Sequence, residues 1–226
     1  MTGAGTRYAA VLSMPAGTPR GSGGASGGEA PPGIDAAEFR LALLEDTYEV
    51  VAGLELVTPA LVLHPPGQPD AEAVTWPGTA IVREPTLPRA FAALHALGAE
   101  QAALIAPDAP DLPPLLLGKL FRALGSAPAA ACQAESAGGT GRGDGLVALA
   151  ARLPLPEWLA AALEDVDLDT PDALGLLRAA APRPGQVPQA PSWHRLRTAA
   201  DVRLLDPGLE GWENTRALLE GDPLGR

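Results

Sequence analysis

QAALIAPDAPDLPPL, residues 101–115, carries the strongest architectural signal in this chain. Ala102 to Ala106 is a short, wholly apolar run, the pattern of a strand covered on both faces. Asp108 and Asp111 follow at once among Pro107, Pro110 and Pro113. Proline disfavours helix for the residue before it, so the turn is held extended. Pro113 or Pro114 then opens a helix carrying Leu115 to Leu124. A strand, a carboxylate-bearing turn and a helix in this order belong to an open α/β sheet, where ligands bind outside the carboxyl ends of strands. Two hard oxygen ligands there suit Mg²⁺ or Mn²⁺ carrying a phosphate substrate. An Asx-turn and a helix cap account for the same two residues equally well.

Outward from this stretch the chain alternates strands and helices. Tyr8 to Ser13 reads as a first strand. Asp35 caps a helix that runs to Gly53. Strands are expected over 57–63, 79–83 and 146–153, with a further apolar run over 128–134. Helices are expected over 87–97, closed by Gly98, over 156–163, and from Thr170 as cap through Ala180. Such alternation predicts a three-layer α/β/α sandwich with a mostly parallel sheet. The proline-rich stretch 181–191 reads as a linker. The organisation expected is therefore one domain over 1–182, followed by a linker and C-terminal tail, 183–226, that packs on it. Within that tail, Trp193 and Trp212 anchor either the protein's own core or a partner.

The composition narrows the function. A net charge of −11 opposes binding to nucleic acid and to anionic membrane surfaces. No apolar run reaches the ~18 residues of a membrane span, and the N-terminus does not read as a signal peptide. A cytoplasmic protein is the expectation. The single cysteine, Cys132, lies in an apolar run and reads as a buried small hydrophobe rather than a nucleophile. His64, His95 and His194 lack the spacing of a zinc site, and no Gly-x-Ser-x-Gly elbow occurs.

Two glycine-rich segments remain. The first, Gly17–Gly28, follows the first strand, where doubly wound folds approach a nucleotide's phosphates. It matches neither the dinucleotide fingerprint nor a P-loop. Gly17, Gly21 and Gly23 would offer backbone N–H groups, and Arg20 is the segment's one cation. The second, Gly138–Gly145, carries Asp144, which the predicted sheet places near Asp108; an ordinary turn serves as well. Of Asp167 and Asp169, ahead of Thr170, a metal role is the weaker reading.

Four pieces occur in a telling order: AAEFRLALLEDT (36–47), LIAPDAPDLP (104–113), GDGLVAL (143–149) and DVDLDTPDAL (165–174). On these the chain resembles the GT-A-type nucleotide-diphospho-sugar transferase superfamily. More narrowly it resembles a bacterial glycosyltransferase-like branch, with phospholactate and molybdenum-cofactor guanylyltransferases more distant. The resemblance implies a nucleotide bound over the first strand and a divalent metal at Asp108. On the residues' own chemistry that metal is Mg²⁺ or Mn²⁺, with Asp111 or Asp144 assisting. The resemblance also implies a nucleotidyl- or glycosyl-transferase acting on a nucleoside triphosphate or nucleotide sugar. The family's loop after the first strand carries a lysine that grips phosphate. Here MPAGTPRGSGGASG (14–27) keeps only Pro15, Gly17 and Arg20. Losing such a charge costs a transferase several kcal/mol of transition-state stabilisation. The alternative implied is a non-catalytic nucleotide-binding or interaction protein of the same fold.

Overall fold

The computed structural model describes residues 6–13, 29–64, 66–135 and 145–221. Among the described residues seven strands form one sheet: β1 Arg7–Ser13, β2 Thr58–Leu63, β3 Ala80–Val82, β4 Gln101–Ile105, β5 Ala129–Ala134, β6 Leu146–Arg152 and β7 Gln189–Trp193. Their order is β3-β2-β1-β4-β6-β5-β7. Every pairing is parallel except the two made by β6, which runs against β4 and β5. β4 stands at the centre, as its unbroken apolar run predicts.

Alternate residues of each strand feed opposite layers. Ala102 and Leu104 of β4 join Phe91 and Leu94 of α3 (Leu87–Ala96), Leu159 of α5 (Glu157–Ala162) and Leu177 of α6 (Ala173–Ala180). Ala103 and Ile105 face the other way, towards Tyr48 of α1 (Ala36–Ala52), Ala71 of α2 (Pro69–Ala73) and Leu117 and Leu120 of α4 (Pro114–Ala123). The molecule is thus an α/β/α sandwich. α1 begins where expected: the Asp35 carboxylate accepts from the N–H groups of Ala37 and Glu38 at 2.8 and 3.0 Å. The short α2 has no counterpart in the sequence reading.

Two readings of local structure change. Thr170 does not cap α6: its hydroxyl donates to Asp167 at 2.8 Å, and Asp172, in the left-handed region at φ 54°, takes the cap position. The stretch 181–191 is not wholly a linker, because residues 189–193 form β7 beside β5. Pro191 is compatible with a strand there because the outer edge asks for no N–H donor. Beyond β7, a 3₁₀ helix (Ala199–Leu204) and α7 (Glu213–Glu220) lay Leu196, Leu205 and Trp212 over Phe39 and Leu43 of α1. Trp212 therefore anchors the tail to the protein's own core.

Candidate functional site

Because β1, β4, β5 and β7 run the same way, the segments that follow them emerge along one edge of the sheet. β6 is reversed, so its start, Gly145-Leu146, lies at that edge too. The turn after β4 and the chain leaving β7 are joined directly: Leu196 N–H donates to the Asp108 carbonyl at 2.7 Å. This backbone link positions the side chains that follow.

Asp108 is 2% exposed and its carboxylate is held by a guanidinium. Arg195 Nε donates to Oδ1 at 2.5 Å and Nη2 donates to Oδ2 at 2.9 Å, a two-pronged match between fork and carboxylate. The remaining arm, Nη1, donates to the carbonyls of Leu146 and Leu168 and lies 2.8 Å from Asp169 Oδ1. Arg197 Nη2 reaches the same Asp169 oxygen at 2.9 Å. Burial of Arg195 works against its charge, but Asp108 and then Asp169 outweigh that and hold the guanidinium above the usual arginine range. Two acids and two arginines form one neutral, interlocked cluster.

Asp111, also 2% exposed, is satisfied by neighbouring groups. Trp193 Nε1 donates to it at 3.1 Å, His194 Nε2 lies 2.9 Å away, and the Asp206 N–H approaches at 3.3 Å. The Trp193 and His194 rings stack with centroids 4.8 Å apart. The two carboxylates expected to face a metal thus face arginine, tryptophan and histidine donors. The physical reason is the tail, which crosses the mouth of the turn and brings these donors with it. As arranged, the pair does not fit a divalent ion, which needs open lone pairs on several hard oxygens.

Asp144, Gly17, Arg20, Gly21 and Gly23 lie outside the described residues. Asp167 turns inward to Thr170, whereas Asp169 joins Asp108 through Arg195. The sequence reading missed Arg195, Arg197, His194 and Trp193 as site residues. Their signal was SWHRLR (192–197), three basic or titratable side chains in six positions of a strongly acidic chain.

On α1 and α7, Asp46, Glu49 and Glu213 lie within 4.8 Å of one another through their carboxylate oxygens. Asp46 caps α7: its oxygens accept from Asn214 N, Asn214 Nδ2 and Thr215 N at 3.1, 2.9 and 2.7 Å. Burial raises its pKa to about 6 against the pull of these donors.

Comparison with solved structures follows the same lines. A candidate nucleotide-diphospho-sugar transferase from Desulfovibrio desulfuricans G20 superposes with a TM-score of 0.64 at 14% identity, over 96% of this chain and 97% of the other. The chain has the nucleotide-diphospho-sugar transferase fold. A CMP:2-keto-3-deoxy-manno-octonic acid synthetase complexed with CTP gives 0.51 at 14% identity, over 96% and 99%. Glucosyl-3-phosphoglycerate synthase from Mycobacterium tuberculosis, in complex with Mn²⁺, UDP-glucose and phosphoglyceric acid, gives 0.50 at 15%, over 96% and 79%. No protein-family model matches the sequence, and no match arises among curated proteins. Among the described residues no helix is long and apolar enough to cross a membrane.

Proposed function

We propose that the chain is a nucleotidyl- or glycosyl-transferase whose donor, a nucleoside triphosphate or nucleotide sugar, lies across the carboxyl ends of β1 and β4. The observation that supports this most is the placement of the Asp108 turn and the end of β1 side by side on adjacent parallel strands, in a fold shared with proteins solved with CTP and UDP-glucose. Gly17, Gly21 and Gly23, after β1, offer backbone N–H groups to the phosphates, and Arg20 adds charge. Asp108, buried beneath, fixes Arg195 rather than touching the donor. Asp144, which directly precedes Gly145, is the carboxylate this reading assigns to assist, by accepting a proton from the acceptor hydroxyl. In nucleotidyl transfer that oxygen bonds to the α-phosphorus as the bond to pyrophosphate breaks. In glycosyl transfer it bonds to the anomeric carbon as the nucleoside diphosphate leaves.

A second reading has its own support. A cluster this well neutralised suits a non-catalytic nucleotide-binding protein of the same fold, because it adds no net charge towards a leaving group. The two readings share binding and differ in turnover. Thermal denaturation with CTP, UTP, GTP, ATP and their sugar conjugates checks binding: a ligand at 100 times its dissociation constant should stabilise by about 2.7 kcal/mol. Assays for pyrophosphate or nucleoside diphosphate release then separate a transferase from a binder. Failure of every nucleotide to shift the transition removes both.

A further inference from the structure

We propose that Arg195 and Arg197 together take the place of a divalent cation in this site, so that nucleotide phosphate is bound without metal. The phosphate part of the inference rests on the donor reading above; the part concerning cations does not. Asp108 and Asp169 belong to segments about sixty residues apart, yet both converge on one guanidinium, at 2.5 and 2.8 Å. Carboxylates from separate segments meeting at one buried point is the ligand geometry of a cation site. The cation occupying it is covalently part of the chain. Arg195 is inside, 5% exposed, with its forked donors spent on two carboxylates and two carbonyls.

Arg197 is the outer member, its side chain 19% exposed. It stands beside Glu29 and Gly145, the residues at the C-terminal ends of the two glycine-rich stretches of sequence. Its carbonyl accepts from Glu29 N at 2.9 Å, at the end of the first. Its Nη2 lies 3.2 Å from the position a Cβ on Gly145 would occupy, at the end of the second. Its backbone is pinned by Asp201, which accepts from Arg197 N at 3.0 Å and closes the capping box with Thr198. Two guanidiniums carry the same charge as one divalent ion and balance the same two carboxylates. The N–H donors that the segment after β1 lacks as lysine are thereby offered by the C-terminal segment, held in place by their carboxylates rather than added as net charge. Arg197 is the member that meets phosphate; Arg195 is a positioning residue behind it.

The test uses the full chain and two probes. Mn²⁺ alone, followed by the paramagnetic signal of the free ion, should show no bound ion that Asp108→Asn removes. Arg195→Gln should acquire one additional Mn²⁺, with a rise in thermal stability on Mn²⁺ addition that wild type lacks, and Arg195→Gln/Asp108→Asn should lose it again. Wild-type Mn²⁺ binding abolished by Asp108→Asn overturns the proposal, as does a folded Arg195→Gln that gains no ion. If Arg195→Gln does not fold even with Mn²⁺, the comparison of wild type with Asp108→Asn decides alone. CTP and UDP-glucose, each in EDTA and in Mn²⁺, are the second probe. Binding should be equal in both conditions and about tenfold weaker in Arg197→Gln. Binding that appears only with Mn²⁺ overturns this inference while leaving the donor reading intact. Absence of nucleotide binding in both conditions removes the donor reading and Arg197's role with it, and the Mn²⁺ measurements still judge Arg195.

Discussion

Asp108 and Arg195, 87 positions apart, meet as a buried two-pronged ion pair, with Nε 2.5 Å from Oδ1 and Nη2 2.9 Å from Oδ2. The pair closes the turn after the central strand against the chain leaving the edge strand. Removing one partner leaves the other charged and buried, which costs about 3–5 kcal/mol. Asp108→Ala and Arg195→Met should each lose that much by urea denaturation. The double variant should lose clearly less than the sum, since neither orphaned charge remains. Additive losses would mean that the two side chains act independently.

Asp46 gives the protein a pH dependence of unusual sign. Its carboxyl titrates near 6 when folded against an ordinary value of 3.8. The folded state therefore binds the proton more tightly, and the stability this provides is complete below pH ~4 and lost as pH rises through about 6. The loss amounts to roughly 3 kcal/mol at most. Asp46→Asn should flatten the denaturation free energy between pH 4 and 6. An unchanged slope in that variant would assign the dependence elsewhere.

Gly145 has φ 94°, and a Cβ placed there would lie 2.3 Å from the Leu168 carbonyl oxygen. That carbonyl also accepts from Leu146 N at 2.7 Å, so it has little freedom to retreat. Gly145→Ala should cost roughly 2–4 kcal/mol, combining left-handed backbone strain with overpacking. Calorimetry showing a change below 1 kcal/mol would contradict this packing.

Cys132 lies in β5 with its thiol against the Pro191 carbonyl, and burial pushes its pKa up to about 12. At pH 8 its thiolate should be scarcer than that of a free cysteine by about a thousandfold. Ellman's reagent should leave the native protein unlabelled and titrate one thiol after denaturation. Prompt labelling of the folded chain would place the thiol in solvent.

The strands and most helices were legible because their cues are local. The run over 101–106 and Asp35 at the start of α1 each act within a few residues. β7 was not legible. In PRPGQVPQAPSW the prolines signal a linker, and the permission for Pro191 in a strand comes only from its position at the edge of a sheet. α6 likewise has Asp172 rather than Thr170 at its cap position, because the Thr170 hydroxyl found Asp167 instead.

Local signals specify an α/β/α sandwich with β4 at its centre, the carboxylates Asp108 and Asp111 at the end of that strand, and a buried Cys132. These follow from hydrophobic period, turn chemistry and chain order, which need no knowledge of distant neighbours. What those carboxylates hold depends on how distant segments pack together. Arg195 reaches Asp108, and Trp193 and His194 reach Asp111, because β7 joins β5 in parallel and delivers the chain to the same edge. A carboxylate's partner is set by which cation or donor the fold brings within about 3 Å, and no local pattern around residue 108 encodes a side chain 87 positions later.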